Sequence, residues 1–233
     1  MTEILFTPPL VAGILVRRYK RFLAEIRMGD RTITAHCANT GAMLGCSSPG
    51  SRVWCSTHAR SSRKHVHSLE LVEAEGHRIC VNTHQANRLV KKALQEGRIP
   101  ELVSHAGSWS AEVAIPGGSG RFDFGIANTF VEVKSVTLLR DGCGRFPDAR
   151  TVRGERHARA LARLAGQGSR CVLLFLAMHD GIQSVRLAST IDPFYSDAVS
   201  LAMQCGVEVL CYQVEVGRER LALGTRVPFS ALG

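Results

Sequence analysis

Long apolar stretches are missing from this chain of 233 residues. The longest, Cys171 to Met178, is eight residues, whereas a membrane-spanning helix needs about twenty. The opening residues, Met-Thr-Glu-Ile-Leu-Phe, lack the basic segment and apolar core of a secretory signal. The protein is therefore expected to be cytoplasmic, with no membrane partner. No two of the eight cysteines are separated by only two residues, which removes zinc-knuckle spacing. Several lie in apolar runs and read as reduced, buried thiols; Cys37, beside His36, is the one metal or nucleophile candidate. No internal repeat or low-complexity tract is visible. Acidic charge is also short: 20 Asp and Glu stand against 29 Lys and Arg, a net charge of +9. That excess points to a polyanionic partner such as nucleic acid.

What is present divides the chain in two. Residues 1–82 hold short β-branched or aromatic segments: Ile14 to Tyr19, Phe22 to Met28, Thr32 to Cys37, Arg52 to Ser56, Leu69 to Glu73 and Arg78 to Val81. Turn signals such as Gly29-Asp30 and Glu75-Gly76 separate them, so a small barrel or sandwich is expected. From His84 the period changes. Ala86, Leu89, Val90, Ala93 and Leu94 form a helical stripe that Gly97 ends. Residues 83–233 continue with strands at Ala111 to Ile115, Arg121 to Ile126, Phe130 to Thr137, Arg170 to Ala177 and Val207 to Glu215. Helices are expected at Arg153 to Gly166 and at Pro193 to Gly206, where Asp192 caps and Pro193 fits the first turn. That order implies a mixed α/β domain.

The chemistry concentrates between Arg121 and Ser135. Glu132 and Lys134 alternate along one strand and share a face. A hairpin with a two-residue loop at Ala127-Asn128 sets Asp123 opposite Glu132, with Phe122, Phe124, Val131 and Val133 on the other face. Two carboxylates about 5 Å apart repel, and a divalent cation between them turns repulsion into attraction. Mg²⁺ or Mn²⁺ is the expected cofactor, with no organic cofactor. A metal on Asp123 and Glu132 would activate water against a phosphodiester, and Lys134 would neutralise charge on the phosphate. Glu112, on the preceding strand, is a further metal-ligand candidate.

The sequence resembles the sugar fermentation stimulation protein family over almost its whole length. The matching stretches include Arg18 to Leu23, Thr34 to Gly41, Pro49 to Trp54, Ala86 to Val90, Val131 to Thr137, Phe146 to Ala149 and Ile191 to Pro193. The resemblance implies an N-terminal barrel of OB type and a C-terminal domain like the PD-(D/E)xK nucleases. It also implies DNA binding, and it sets Asp123, Glu132 and Lys134 on the acidic, acidic and basic positions of the nuclease core. The chain departs from the pattern in its short connection between Phe124 and Val131. Phe122-Asp123 also stands where the motif's name has Pro-Asp.

Candidate DNA contacts are drawn from the charge. Arg17, Arg18, Lys20 and Arg21 surround Tyr19 and Phe22, whose aromatic rings are expected in the core. Arg60, Arg63 and Lys64 form a second cluster in a Ser-rich loop, together with His65 and His67. Arg153 and Arg156 begin a basic helix face that continues through Arg159 and Arg163, with His157 beside them as a polar surface or supporting residue. Two functions are expected: a metal-dependent DNA nuclease, or a non-catalytic DNA-binding regulator of sugar metabolism on the same scaffold. Residues 1–82 carry 11 basic and 6 acidic side chains, so the barrel is the more basic part and the expected grip.

Overall fold

The structure, a computed structural model, describes residues 2–59, 64–103 and 108–231. Its first strands are β1 (Glu3–Leu5), β2 (Val11–Tyr19), β3 (Leu23–Met28), β4 (Arg31–His36), β5 (Arg52–Thr57), β6 (His67–Ala74) and β7 (His77–Cys80). Helix α1 (His84–Gln95) comes next, then β8 (Ser110–Ala114), β9 (Arg121–Ile126), β10 (Thr129–Val136), β11 (Leu138–Arg140) and β12 (Cys143–Phe146). The chain continues through α2 (Val152–Gly166), β13 (Arg170–Ala177), β14 (Ser184–Leu187) and α3 (Pro193–Gln204). It ends with β15 (Glu208–Val216), β16 (Arg220–Arg226) and β17 (Phe229–Ser230).

Strands β2 to β6 close into a five-stranded barrel of OB type. The neighbours run β4-β3-β2-β5-β6, and β4 meets β6 in parallel at Ala35 and His36 to shut the ring. Alternation along these strands sends Leu15, Ala24, Ile26, Val53 and Leu69 into one core, which Ile79 of β7 joins. Cys37, Cys46 and Cys55 lie in the same core, as expected of buried thiols. Burial pushes the Cys37 thiol up against the opposing pull of Arg18, so it is a poor nucleophile. Cys205 is exposed, unlike the other seven.

The second unit is a seven-stranded mixed sheet in the order β1-β16-β15-β13-β10-β9-β8. Its centre, β10, β13 and β15, is parallel, and its flanks are antiparallel. Apolar residues on one face, including Val131, Val133, Val172 and Leu174, meet Ala86, Leu89 and Val90 of α1 and reach Trp54 and Leu71 of the barrel. The other face, through Phe122, Leu173 and Phe175, packs under α2 and α3. Asp192 caps α3 as expected: Oδ1 accepts from the Tyr195 amide at 3.1 Å, while Oδ2 accepts from the Thr151 amide at 2.7 Å. No helix among the described residues is long and apolar enough to cross a membrane.

Two features go beyond what the sequence pattern marks. Glu3–Leu5 lies within the stretch expected to form the barrel, yet β1 pairs with β16 at the edge of the second sheet. Three residues carry no period, so nothing local marks that choice. A small sheet, β11-β12-β14-β17, is also without a local signal, its strands being two to four residues long.

The two units are sewn together. The Cys80 amide donates to Met178 O at 2.8 Å, and the Asp180 amide donates to Arg78 O at 3.1 Å. The Asn39-Thr40-Gly41 turn docks where Asp148 Oδ2 accepts the Met43 amide at 2.7 Å. A Cβ on Gly41 would collide with the Asp148 carboxylate, so this close approach requires glycine.

Candidate active site and basic surfaces

β10 pairs with β13 over its full length, but with β9 over only three residues: Thr129 with Ile126, Phe130 with Gly125 and Val131 with Phe124. The turn and register are those expected. The ladder then stops, which corrects the expectation that Asp123 faces Glu132 as a cross-strand pair. Phe124 enters the core under α1, whereas Phe122 enters the core under α2. The strand must therefore twist at Asp123. Its first residues stay with β8, through Phe122 with Val113 and Arg121 with Ala114. A fork opens between β9 and β10, and both acids line it.

At the fork Asp123 replaces the missing backbone partner. Its Oδ2 accepts the Val133 amide at 2.7 Å, and its Oδ1 accepts Asn87 Nδ2 at 2.6 Å. Burial, then the charge on Glu132, raise the Asp123 carboxyl from the usual 3.8 to about 6, against the opposing pull of Val133, Lys134 and Asn87. Glu132 is 3% exposed and turns towards α2. Its Oε1 accepts Lys134 Nζ at 2.5 Å and His157 Nδ1 at 2.5 Å. Burial pushes its carboxyl up, but Lys134 and His157 outweigh that and hold it below the ordinary range. Among the described residues, Glu132 Oε2 is buried with no hydrogen-bond partner. Glu132 and Lys134 thus share one face of β10, as the alternation predicts.

Glu112 stands in register opposite Asp123, between the pairs Ala111 with Phe124 and Val113 with Phe122. Its backbone is left-handed (φ +53°) and its side chain is exposed. Glu112, Asp123 and Glu132 do not bring three ligand oxygens within 4.8 Å of one another. Among the described residues, the three potential ligands that do are His77, His179 and Asp180. Two of these already bond each other: Asp180 Oδ1 meets His77 Nδ1 at 2.7 Å, and Oδ2 accepts the Arg78 amide at 3.1 Å. They form a clasp between the barrel and the chain after β13.

The basic candidates fare unequally. Arg17 is exposed, forked onto Glu25 at 2.7 and 2.8 Å and stacked over Tyr19. Arg18 is turned inward: its fork donates to the carbonyls of Arg21, Asn39, Gly41 and Ala42, so it braces the docking turn rather than facing a phosphate. Lys20 and Arg21 project from the β2–β3 turn, with Arg21 donating to Thr40 O at 3.1 Å. Phe22 is 45% exposed, contrary to the core placement expected for it; the left-handed turn at Lys20 and Arg21 lifts it out. Arg60 and Arg63 lie outside the described residues, whereas Lys64 is exposed at the rim of a cavity. Arg153, one turn before His157, and Arg156, directly before it, are exposed on the first turns of α2.

Three further side chains matter beyond those the sequence singles out correctly. Asn87 holds Asp123, yet nothing local to either residue links positions 87 and 123. His157 is 4% exposed and bonds Glu132, so of its two expected roles, surface or support, it takes the supporting one; its partner is what the sequence does not show. Glu70 is buried as well, and a glutamate between Leu69 and Leu71 is a legible anomaly.

Comparison with known proteins gives concordant results. Residues 16–81 match the family model described as SfsA N-terminal OB domain, and residues 84–220 match the sugar fermentation stimulation protein RE domain. A sugar fermentation stimulation protein homolog of Aeromonas salmonicida is 43% identical, covering 97% of this chain and 96% of its own. The homolog of Pseudoalteromonas atlantica is 44% identical over 96% of this chain and 98% of its own. The structure of Pyrococcus furiosus SfsA in complex with Ca²⁺ shares the fold, with a TM-score of 0.87 and 24% identity, covering 99% of this chain and 100% of that one.

Proposed function

This chain belongs to the sugar fermentation stimulation protein family, and we propose that it binds DNA and hydrolyses phosphodiester bonds at Asp123, Glu132 and Lys134. One observation carries the reading. Glu132 is a buried carboxylate whose Oε2, among the described residues, has no partner, and a second acid lies in the same fork. Leaving a buried acceptor unsatisfied costs about 1–3 kcal/mol, and more for a charged group. Oxygen donors of this kind suit Mg²⁺ or Mn²⁺, which Asp123 and Glu132 would hold. When bound, the cation would lower the pKa of a water and polarise the phosphate.

The protein's own groups supply the rest. Lys134 carries positive charge beside Glu132, where it offsets charge developing on a phosphate. Asn87 and the Val133 amide orient Asp123, and His157 orients Glu132. Arg153 and Arg156 on α2, together with Arg17, Lys20, Arg21 and Lys64 on the barrel, are the exposed cations for the DNA backbone. Phe22, exposed beside Lys20 and Arg21, is suited to stacking on a base. The Ca²⁺ complex of the Pyrococcus furiosus protein agrees with a family that meets hard cations.

A binding-only regulator is the second reading. It is favoured by Lys134 and His157 already bonding Glu132 Oε1, as a structural ion network does. Calorimetry with Mg²⁺ and Mn²⁺ on the wild type and on Asp123→Ala tests the metal site. The variant is expected to bind at least about tenfold more weakly, since even outer contacts are worth that much; equal affinity refutes the site. Cleavage assays on single-stranded, duplex and branched DNA, with Lys134→Ala as control, decide between the readings. If neither metal supports cleavage of any substrate, the regulator remains.

A further inference from the structure

A cavity of ≈ 620 Å³ opens between the barrel mouth and the first turn of α1. Its wall presents His36, His58, Lys64, His65, His84 and Arg88. Its floor is Glu70, 2% exposed. Glu70 Oε1 accepts Ser56 Oγ at 2.7 Å, while Oε2 accepts Asn82 Nδ2 at 2.8 Å and Gln85 Nε2 at 2.7 Å. Three neutral donors thus satisfy this carboxylate without drawing on the basic groups above it.

The floor also builds the rim. Gln85, 4% exposed, is fixed by Glu70, and its Oε1 accepts Arg88 Nη1 at 2.8 Å. That bond uses one of the five guanidinium donors and orients the others. A guanidinium held in this way matches the fork of phosphate oxygens. Just past β5, His58 Nε2 is set between Ser56 Oγ at 3.2 Å and Ser68 Oγ at 3.0 Å.

Position relates the cavity to the acid fork. Asn87 and Arg88 are adjacent on α1, about 3.8 Å apart at Cα. Asn87 turns to Asp123, and Arg88 turns to the cavity. The volume lies within the range of about 300–1,000 Å³ typical of small-molecule pockets. It suits a single nucleotide. Lys64 and Arg88 are the cations of this wall and the imidazoles add hydrogen-bonding nitrogens, a set that favours a phosphomonoester, whose roughly −1.5 to −2 charge and three terminal oxygens offer more than an internal diester does.

We infer that this cavity receives the terminal nucleotide of a single DNA strand, gripping its phosphomonoester and presenting the strand end to Asp123 and Glu132. The inference rests on the nuclease reading for the cleavage that comes after binding, but the grip itself needs no metal. A free nucleoside monophosphate shares the recognised chemistry, so the test separates the two sources.

Fluorescence anisotropy in EDTA compares oligothymidine carrying a 5′-phosphate, a 3′-phosphate or neither, with thymidine monophosphate as competitor. The wild type is expected to prefer one phosphorylated strand by at least about tenfold, the scale of a hydrogen bond to a charged group. Arg88→Ala and His84→Ala, both at exposed positions, are expected to erase that preference, and Asp123→Ala to keep it. Equal binding of all three strands, or a preference that survives Arg88→Ala, overturns the inference. Competition by thymidine monophosphate as strong as by the phosphorylated strand assigns the cavity to free nucleotides and overturns the strand-end claim. Absence of cleavage with Mg²⁺ or Mn²⁺ would instead count against the nuclease reading, leaving this binding result intact.

Discussion

Among the described residues each domain buries one glutamate, and the two are completed differently. Glu70 in the barrel is 2% exposed and Glu132 in the sheet is 3% exposed. Glu70 receives a hydroxyl and two amides, one hydrogen bond or more on each oxygen. Glu132 receives an ammonium and an imidazole on a single oxygen, and among the described residues the other oxygen has nothing. Removing a carboxylate from water costs several kcal/mol, which well-placed donors offset. The fold itself completes Glu70, which therefore acts as a scaffold. Among the described residues it leaves Glu132 Oε2 without a hydrogen bond, the place where the proposed cation would bind.

The largest break in this comparison comes from Glu70→Ala. It leaves the buried Asn82 and Gln85 amides without their acceptor. Stability is expected to fall by about 2–4 kcal/mol, read from urea unfolding, with divalent-ion affinity unchanged. Glu132→Gln is expected to reverse that pattern, with a small stability loss and a large loss of ion affinity. A Glu70→Ala protein as stable as Glu132→Gln would dissolve the contrast.

A smaller effect separates the acids within the fork. Folded Asp123 holds its proton more tightly than the unfolded chain, with its carboxyl raised to about 6. Its contribution thus favours the fold fully at pH below about 4 and is lost as pH rises through about 6. Glu132 is shifted the opposite way, so its contribution is present above the ordinary carboxylate range and lost as pH falls. In EDTA, stability of the wild type is expected to drop by about 1–2 kcal/mol between pH 5 and pH 7.5 on account of Asp123. Asp123→Asn should lack that component, and Mg²⁺ should recover it only in the wild type. Parallel pH profiles for the two proteins would show that Asp123 is not under this strain.

The comparison also shows what a sequence discloses. The strands Arg121–Ile126 and Arg170–Ala177 are legible to the residue, because their apolar patterns are dense and bounded by turns. The Glu-x-Lys alternation and the hairpin register are legible because both are local. The fork is not: it depends on Phe122 and Phe124 choosing different cores, which is settled by helices far along the chain. Arg18 reads as a surface cation, and only the docking turn at Asn39 to Ala42 makes it a brace. The supports Asn87 and His157 reach their acids across 36 and 25 residues, beyond any local pattern.

His157 offers the finest test of the contrast between the glutamates. Its Nδ1 bonds Glu132 Oε1, and its ring lies edge-on to Phe122 at a centroid distance of 6.0 Å. It therefore fixes where the unpartnered Oε2 points. His157→Ala frees the carboxylate to swing towards Lys134, which alone holds it. Divalent-ion affinity is then expected to fall about tenfold, the usual cost of losing an orienting bond to a metal ligand. His157→Gln keeps a donor near the same place and is expected to restore most of the loss. At Glu70 no comparable rescue by one donor is expected, since three donors share the work. Calorimetry on both variants checks this, because a residue that merely fills space under α2 would lower stability in the alanine variant without changing ion affinity.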